Sequence, residues 1–263
     1  MLGTLRLSIE ATESNFLLLH FTQIAYGSVK TINSYYFIRF SRSFKSSRFK
    51  TKKIWFDCFR ERGSSNYVNE IIAIDSNGDF LWSYGRDKTD TKFNRGKLRS
   101  IAVDNPRNRI LALCKNTVYV FSIEGRYLSR FTPSNENDFK LAVDSNICVT
   151  DEGLVLVTGE DRVYMLFVFD GFGRVKDSLK LSSKAGGEFS PSGIAYNHCT
   201  QEILIADKGT NCLLVCARDK ARNRYRFIRK IKFAERYTGG GVVVMRNGHI
   251  AVVNRGTNKI III

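Results

Sequence analysis

Short apolar runs broken by turn-forming residues recur along this chain in constant phase. Ser100-Ile101-Ala102-Val103-Asp104, Ile147-Cys148-Val149-Thr150-Asp151, Gly193-Ile194-Ala195-Tyr196-Asn197 and Gly241-Val242-Val243-Val244-Met245 each open a unit. Ile101, Ile147, Ile194 and Val242 follow one another at steps of 46, 47 and 48 residues. The unit from Ser192 to Phe233 shows what fills each step. An apolar run at Gly193 is followed by the turn Asn197-His198-Cys199-Thr200-Gln201, and then by Glu202-Ile203-Leu204-Ile205-Ala206-Asp207. The tight connection Lys208-Gly209-Thr210-Asn211 leads into Cys212-Leu213-Leu214-Val215-Cys216-Ala217, and a basic loop into the alternating Arg226-Phe227-Ile228-Arg229-Lys230-Ile231-Lys232-Phe233. Asp, Asn and Gly at the connections suit tight turns, and alternation suits a half-exposed strand. A period of roughly 40 to 50 residues made of four short strands predicts an all-β fold, a β-propeller of four-stranded antiparallel blades.

The other units keep the grammar. Ile110-Leu111-Ala112-Leu113-Cys114, Val118-Tyr119-Val120-Phe121 and Arg126-Tyr127-Leu128-Ser129-Arg130-Phe131 follow the run at Ser100, with a hairpin at Ser122-Ile123-Glu124-Gly125. The unit from Asn146 ends through Phe167-Val168-Phe169-Asp170-Gly171-Phe172-Gly173-Arg174. The final unit carries Gly248-His249-Ile250-Ala251-Val252-Val253-Asn254, the turn Arg255-Gly256-Thr257-Asn258 and Lys259-Ile260-Ile261-Ile262-Ile263.

Pro191-Ser192-Gly193-Ile194-Ala195, Ala206-Asp207 with Asn211, and Phe169-Asp170 with Gly173 resemble the NHL repeat, named for an Asn-His-Leu signature. Leu213 stands where that repeat has Arg, and Leu113-Cys114 where it has Ala-Asp. The resemblance runs from about residue 54 to 263 because several degenerate copies keep phase. An earlier, divergent unit has Lys53-Ile54-Trp55-Phe56-Asp57-Cys58 as its second strand and Glu70-Ile71-Ile72-Ala73-Ile74-Asp75 as its third. Runs at 15–21 and 35–40 are read as strands of a further blade. The last unit shows three strands, and Leu5-Arg6-Leu7-Ser8-Ile9 alternates correctly to supply a fourth. The expectation is one domain over residues 1–263, six-bladed and closed by an N-terminal strand, with residues 1–50 divergent.

Charge changes the picture most. Forty-one Lys and Arg against 25 Asp and Glu give +16, a field that favours polyanions. Hydrophobic content of 43% is ample for a core. No Cys-x-x-Cys pair occurs among six cysteines, which points to a reduced, cytoplasmic protein. Three scattered histidines make a His-rich metal site unexpected, and no cofactor is expected. The first 21 residues make a poor signal peptide, and no apolar run is long enough for a membrane helix. No Gly-x-Ser-x-Gly, phosphate-binding loop or His-Glu-x-x-His motif occurs, so the chain is not expected to be an enzyme. Asp104, Asp151 and Asp207 fall at repeat positions and read as turn formers.

Repeat phase also sorts the basic residues by face. Loops joining second to third strands emerge with those joining fourth strands to the next blade. That face takes Arg60, Arg62, Arg86, Lys88, Lys92, Arg95, Lys97, Lys115, Lys184, Lys208, Arg236 and Arg255, with Tyr67, Phe93 and Tyr237 interleaved. Cations there can neutralise phosphates, and exposed aromatics can stack on bases. Tyr67 and Phe93 have a packing role as the competing reading. The basic loop Asp219-Lys220-Ala221-Arg222-Asn223-Arg224 falls on the opposite face. The 39–53 stretch is basic too, with no face assigned.

The whole is similar to the propeller of TRIM-NHL proteins. That resemblance implies a post-transcriptional regulator's RNA-binding module, taking single-stranded or hairpin mRNA elements on its electropositive face, and a monomer as an isolated domain. RING, B-box and coiled-coil regions are not in this sequence, so ubiquitin ligase activity is not assigned to it. The alternative is a protein-interaction scaffold that grips an acidic or peptide partner.

Overall fold

The structure, a computed structural model, describes residues 37–38, 52–60, 67–75, 80–85, 93, 98–132, 145–161, 163–181, 189–245 and 247–263. The 5–9 closing strand and the 15–21 run lie outside the described residues. Two compact units are present, Met1–Lys97 and Leu98–Ile263.

In the first unit β1 (Phe37–Ile38), β2 (Lys52–Arg60), β3 (Tyr67–Asp75) and β4 (Phe80–Tyr84) form one antiparallel sheet in that order. Phe37 pairs with Phe56 and Ile38 with Trp55. This corrects the assignment of the 35–40 run to a further blade: it is the first strand of the sheet that follows it. Pairing with the next strand in the chain costs the least loop-closure entropy. Phe93 is fully buried, its ring edge-on to Tyr84 at 5.4 Å.

The second unit contains four sheets in chain order. The first is β5 (Leu98–Asp104), β6 (Arg109–Cys114), β7 (Thr117–Ser122) and β8 (Tyr127–Phe131). The second is β9 (Ile147–Val149), β10 (Val155–Asp161), β11 (Val163–Phe169) and β12 (Val175–Lys180). The third is β13 (Pro191–Asn197), β14 (Glu202–Asp207), β15 (Cys212–Asp219) and β16 (Arg224–Lys232). The fourth has three strands, β17 (Val242–Val244), β18 (Ile250–Asn254) and β19 (Lys259–Ile262). Every pairing is antiparallel, and the fold is that of propeller blades. Among the described residues there are five sheets, four of them four-stranded; a sixth is not shown.

The core lies between the sheets. Leu111, Leu113 and Val118 of the first pack on Val155, Val157, Phe167 and Phe169 of the second. Leu156, Leu166 and Val168 face Ile203, Ile205 and Leu214 of the third, and Leu204, Leu213 and Val215 face Val242 and Val252. Middle strands are therefore buried on both faces and read as continuous apolar runs, while β8, β12 and β16 are largely exposed. Cys114, Cys148, Cys212 and Cys216 are buried and outside any disulfide, and burial pushes the Cys216 thiol up to about 12.

Neighbouring first strands touch directly. The Ile147 N–H donates to Ser100 Oγ at 3.3 Å. Gly193, the register equivalent of Ser100, lies so close to the last blade that a Cβ there would sit 2.8 Å from the Gly240 carbonyl oxygen.

Polar turn residues recur with the blades. Ser122 and Asp219 end their third strands and Asp170 directly follows its own, and each accepts backbone N–H bonds from the following turn. Burial opposes ionisation of Asp170, but the Arg174 and Phe172 N–H groups and the Arg174 side chain outweigh it and hold the carboxyl below its usual value.

Candidate nucleic-acid interface

The tight connection after the second strand is built on the residue that ends that strand. Asp207 is fully buried and accepts from the N–H groups of Ser190 (2.6 Å), Gly209 (3.2 Å) and Thr210 (3.0 Å), and from the Thr210 hydroxyl. Asn254 does the same work one blade later, accepting from Thr238 N–H and Oγ1 and donating to the Arg236 carbonyl. These bonds tie each hairpin to the connection that enters its own blade. The Lys208 N–H donates to the Ser190 carbonyl and the Arg255 N–H to the Gly239 carbonyl, both at 3.0 Å.

On this frame Lys115, Lys208 and Arg255 occupy one structural position, the first residue after the second strand of three blades, and all three are exposed. Arg236 is exposed on the adjoining connection. Lys115 has φ of +54°, in a region that favours glycine or asparagine. The row has a break that the repeat reading does not anticipate: the equivalent residue of the second unit's other blade is Glu160, on a hairpin whose strands run on to Asp161 and Val163.

The aromatic part of the expected site is corrected. Phe93 is fully buried and Tyr237 is 2% exposed, so neither offers a face for base stacking. Tyr237 packs on Phe233 (centroids 4.8 Å apart), meets Ser192 Oγ at 2.7 Å and donates to the Gly240 carbonyl at 3.0 Å. Burial pushes its phenol up to about 12, against a lowering effect of its Ser192 bond and of nearby Arg255. The ring packs into the blade core, and sequence shows the ring without its packing partners. Arg60 and Tyr67 end β2 and begin β3, where only the backbone is described. Arg62, Arg86, Lys88, Lys92, Arg95, Lys97 and Lys184 lie outside the described residues.

The opposite face is a web of mixed charge. Arg107 reaches Asp104 and the carbonyls of Asp151 and Glu152, Arg109 pairs with Asp104 at 2.7 Å, and Arg218 meets Glu152 and Asn223. Arg229 pairs with Glu202 at 2.7 Å, and His198 Nδ1 meets Asp151. Of the three aspartates read as turn formers, Asp207 is one. Asp104 instead anchors two arginines from a buried site, and Asp151 is an exposed partner of His198. Thr150, not Asp151, holds the turn, through Leu154 N–H. No group of three or more His, Cys, Asp or Glu suited to a metal occurs among the described residues. Among them, too, no helix is long and apolar enough to cross a membrane.

No protein-family profile and no curated protein matches the chain in sequence. Solved structures match it in fold. One is the nidogen/laminin complex, at TM-score 0.55 and 14% identity, covering 80% of this chain and 71% of that one. Another is the periplasmic gluconolactonase of Pseudomonas aeruginosa, at TM-score 0.53 and 12% identity, covering 80% of this chain and 62% of that one. A Bacteroides caccae protein of unknown function aligns at TM-score 0.47 and 14% identity, over 74% and 69% of the two chains. At such identities the likeness is one of fold.

Proposed function

We propose that the chain is an RNA-binding propeller, a post-transcriptional regulator of the TRIM-NHL kind, that holds single-stranded or hairpin mRNA elements by their phosphates. The observation that carries this reading is the row of Lys115, Lys208 and Arg255 at one repeat position, exposed on hairpins of one face. Lys115 also takes a left-handed backbone conformation that glycine would take without cost, and such a position is where function outweighs local stability. On the opposite face Arg107, Arg109 and Arg218 are engaged by carboxylates and carbonyls, while Arg222 and Arg224 are exposed. One domain over residues 1–263, a monomer in the cytoplasm, belongs to the same reading.

Without exposed Phe93 or Tyr237, affinity comes from phosphate neutralisation, so it depends steeply on salt and weakly on base identity. Fluorescence anisotropy with a random single-stranded RNA tests this at several salt concentrations. The triple variant K115E/K208E/R255E is expected to lose at least about tenfold in affinity at low salt and to flatten the salt slope by about two units, at roughly 0.7 per phosphate contact. Unchanged binding, or none by the parent chain at low salt, rejects the reading. Retained binding of an acidic peptide would then point to the protein scaffold.

A further inference from the structure

The turn Asp170-Gly171-Phe172-Gly173-Arg174, which leads into β12, holds an aromatic ring out in water. Phe172 is 80% exposed, yet its backbone is fixed. Its N–H and that of Arg174 donate to Asp170 Oδ1 at 2.9 and 3.0 Å. The Arg174 guanidinium pairs with Asp170 at 2.9 Å and stands 5.8 Å from the centre of the Phe172 ring. The turn is also seated on the preceding blade, with Gly173 against the Phe131 ring of β8 and Gly171 against the Arg109 guanidinium. Leaving such a ring in water forgoes about 2 kcal/mol of burial, and nothing in the blade recovers it.

Tyr127, Leu128, Val175 and Ile228 are exposed as well, and they lie on β8, β12 and β16, the fourth strands of three successive blades. Those strands carry eight Lys and Arg against one carboxylate, Asp177. Arg229 is taken up by Glu202, and Asp177 by the N–H groups of Ser178 and Tyr225. The Tyr225 bond, 2.6 Å long, ties β12 to the start of β16. Lys176 and Arg224, each next in the chain to a bonded residue, are exposed beside it, and neither meets a carboxylate among the described residues. Exposed hydrocarbon and uncancelled positive charge thus share one surface. Nucleobases stack on rings, and Leu128, Val175 and Ile228 have none to offer. An anionic bilayer matches both parts: headgroup phosphates for Lys and Arg, and the acyl boundary for the apolar side chains.

We infer that the surface made by β8, the 170–174 turn, β12 and the start of β16 docks on an anionic lipid bilayer, with Phe172 as the anchor that enters the interface. This surface is separate from the Lys115, Lys208 and Arg255 row, which stands on hairpins between second and third strands, and it does not depend on the nucleic-acid reading.

The full chain is cosedimented with sucrose-loaded vesicles of phosphatidylcholine, alone or with about 30% phosphatidylserine. Binding is expected with phosphatidylserine and not without it. The variant L128S/F172S changes two exposed side chains and no charge, and should lower the partition coefficient at least about tenfold while keeping the parent melting temperature and RNA affinity. K176E/R224E should lower it as much, whereas K115E/K208E/R255E should stay within about threefold of the parent. In F172W the added indole should shift its emission to the blue on phosphatidylserine vesicles, beyond any shift of the parent. Undiminished partitioning of L128S/F172S would reduce the binding to the pull of the +16 chain as a whole and overturn the proposal. So would an equal loss in K115E/K208E/R255E, which would put lipid on the loop face, or an indole that stays in water. Loss of oligouridine binding in L128S/F172S with vesicle binding intact would give this surface to nucleic acid instead.

Discussion

Lys115 carries a local conformational cost at a single residue, which the proposed RNA-binding reading sets against function. Its φ of +54° costs a non-glycine residue on the order of 1 kcal/mol. K115G is therefore expected to match or exceed the parent in denaturant unfolding while binding RNA less tightly; lower stability would show that Lys115 is there for the fold. Asp207 is the reverse case. Its buried carboxylate collects the N–H groups of Ser190, Gly209 and Thr210, and D207A should cost about 3 kcal/mol by leaving them without an acceptor. Tyrosines give the fold a signature in alkali. Burial pushes Tyr196 and Tyr237 up to about 12 from the ordinary phenol value of about 10, so the folded chain keeps protons that the unfolded chain gives up. Their contribution is complete below pH 10 and is lost as pH rises through about 12, so chemical denaturation should show stability falling across that window. Y237F should fall less steeply; an identical slope would reject Tyr237 as a contributor.

At the scale of the element, the fourth strands share one irregularity. Each opposes its neighbour with an extra residue at the same place: Leu81 opposite Ala73 and Ile74, Leu128 opposite Val120 and Phe121, Lys176 opposite Val168 and Phe169, and Ile228 opposite Val215 and Cys216. These strands are outer edges, and a bulge twists an edge so that a second straight strand cannot zip onto it. Leu128 at 54% and Ile228 at 39% exposure are apolar residues on such edges, where a flat ladder would be a hazard. Deleting Ile228 restores one-to-one pairing and is expected to produce larger species in light scattering; a parent-like size would reject edge protection. Strand identity was legible in the sequence because middle strands such as 202–207 are continuous apolar runs. Bulges were not, since the extra residue is a matter of register, and register leaves no mark on composition. The 35–40 run was assigned to the wrong sheet for a like reason: apolar alternation identifies a strand without naming its partner.

For the whole molecule, period carried further than chemistry. Steps of 46 to 48 residues placed Lys115, Lys208, Arg236 and Arg255 on one face, because a hairpin's end follows from strand count alone. Burial does not follow from period, which places Tyr237 and Phe93 among the loops of one face, with packing as the competing reading for Phe93, without showing that both are buried. Nor does the glycine segment 239–241 stand out, since its carbonyls are bonded from Arg255 and Val253, distant in sequence, and from nearby Tyr237. The contact between Ser100 and Ile147, against that between Gly193 and Gly240, has an evolutionary consequence. A repeat protein grows by copying units, yet here the admissible residue at one place in a unit is dictated by the unit that follows. A duplicated blade would arrive fitted to the wrong successor, with Ser100's hydroxymethyl group where only Gly193 leaves room. Such a lineage can lengthen only by copying a blade together with its seam, which makes the pair, rather than the single repeat, its heritable module.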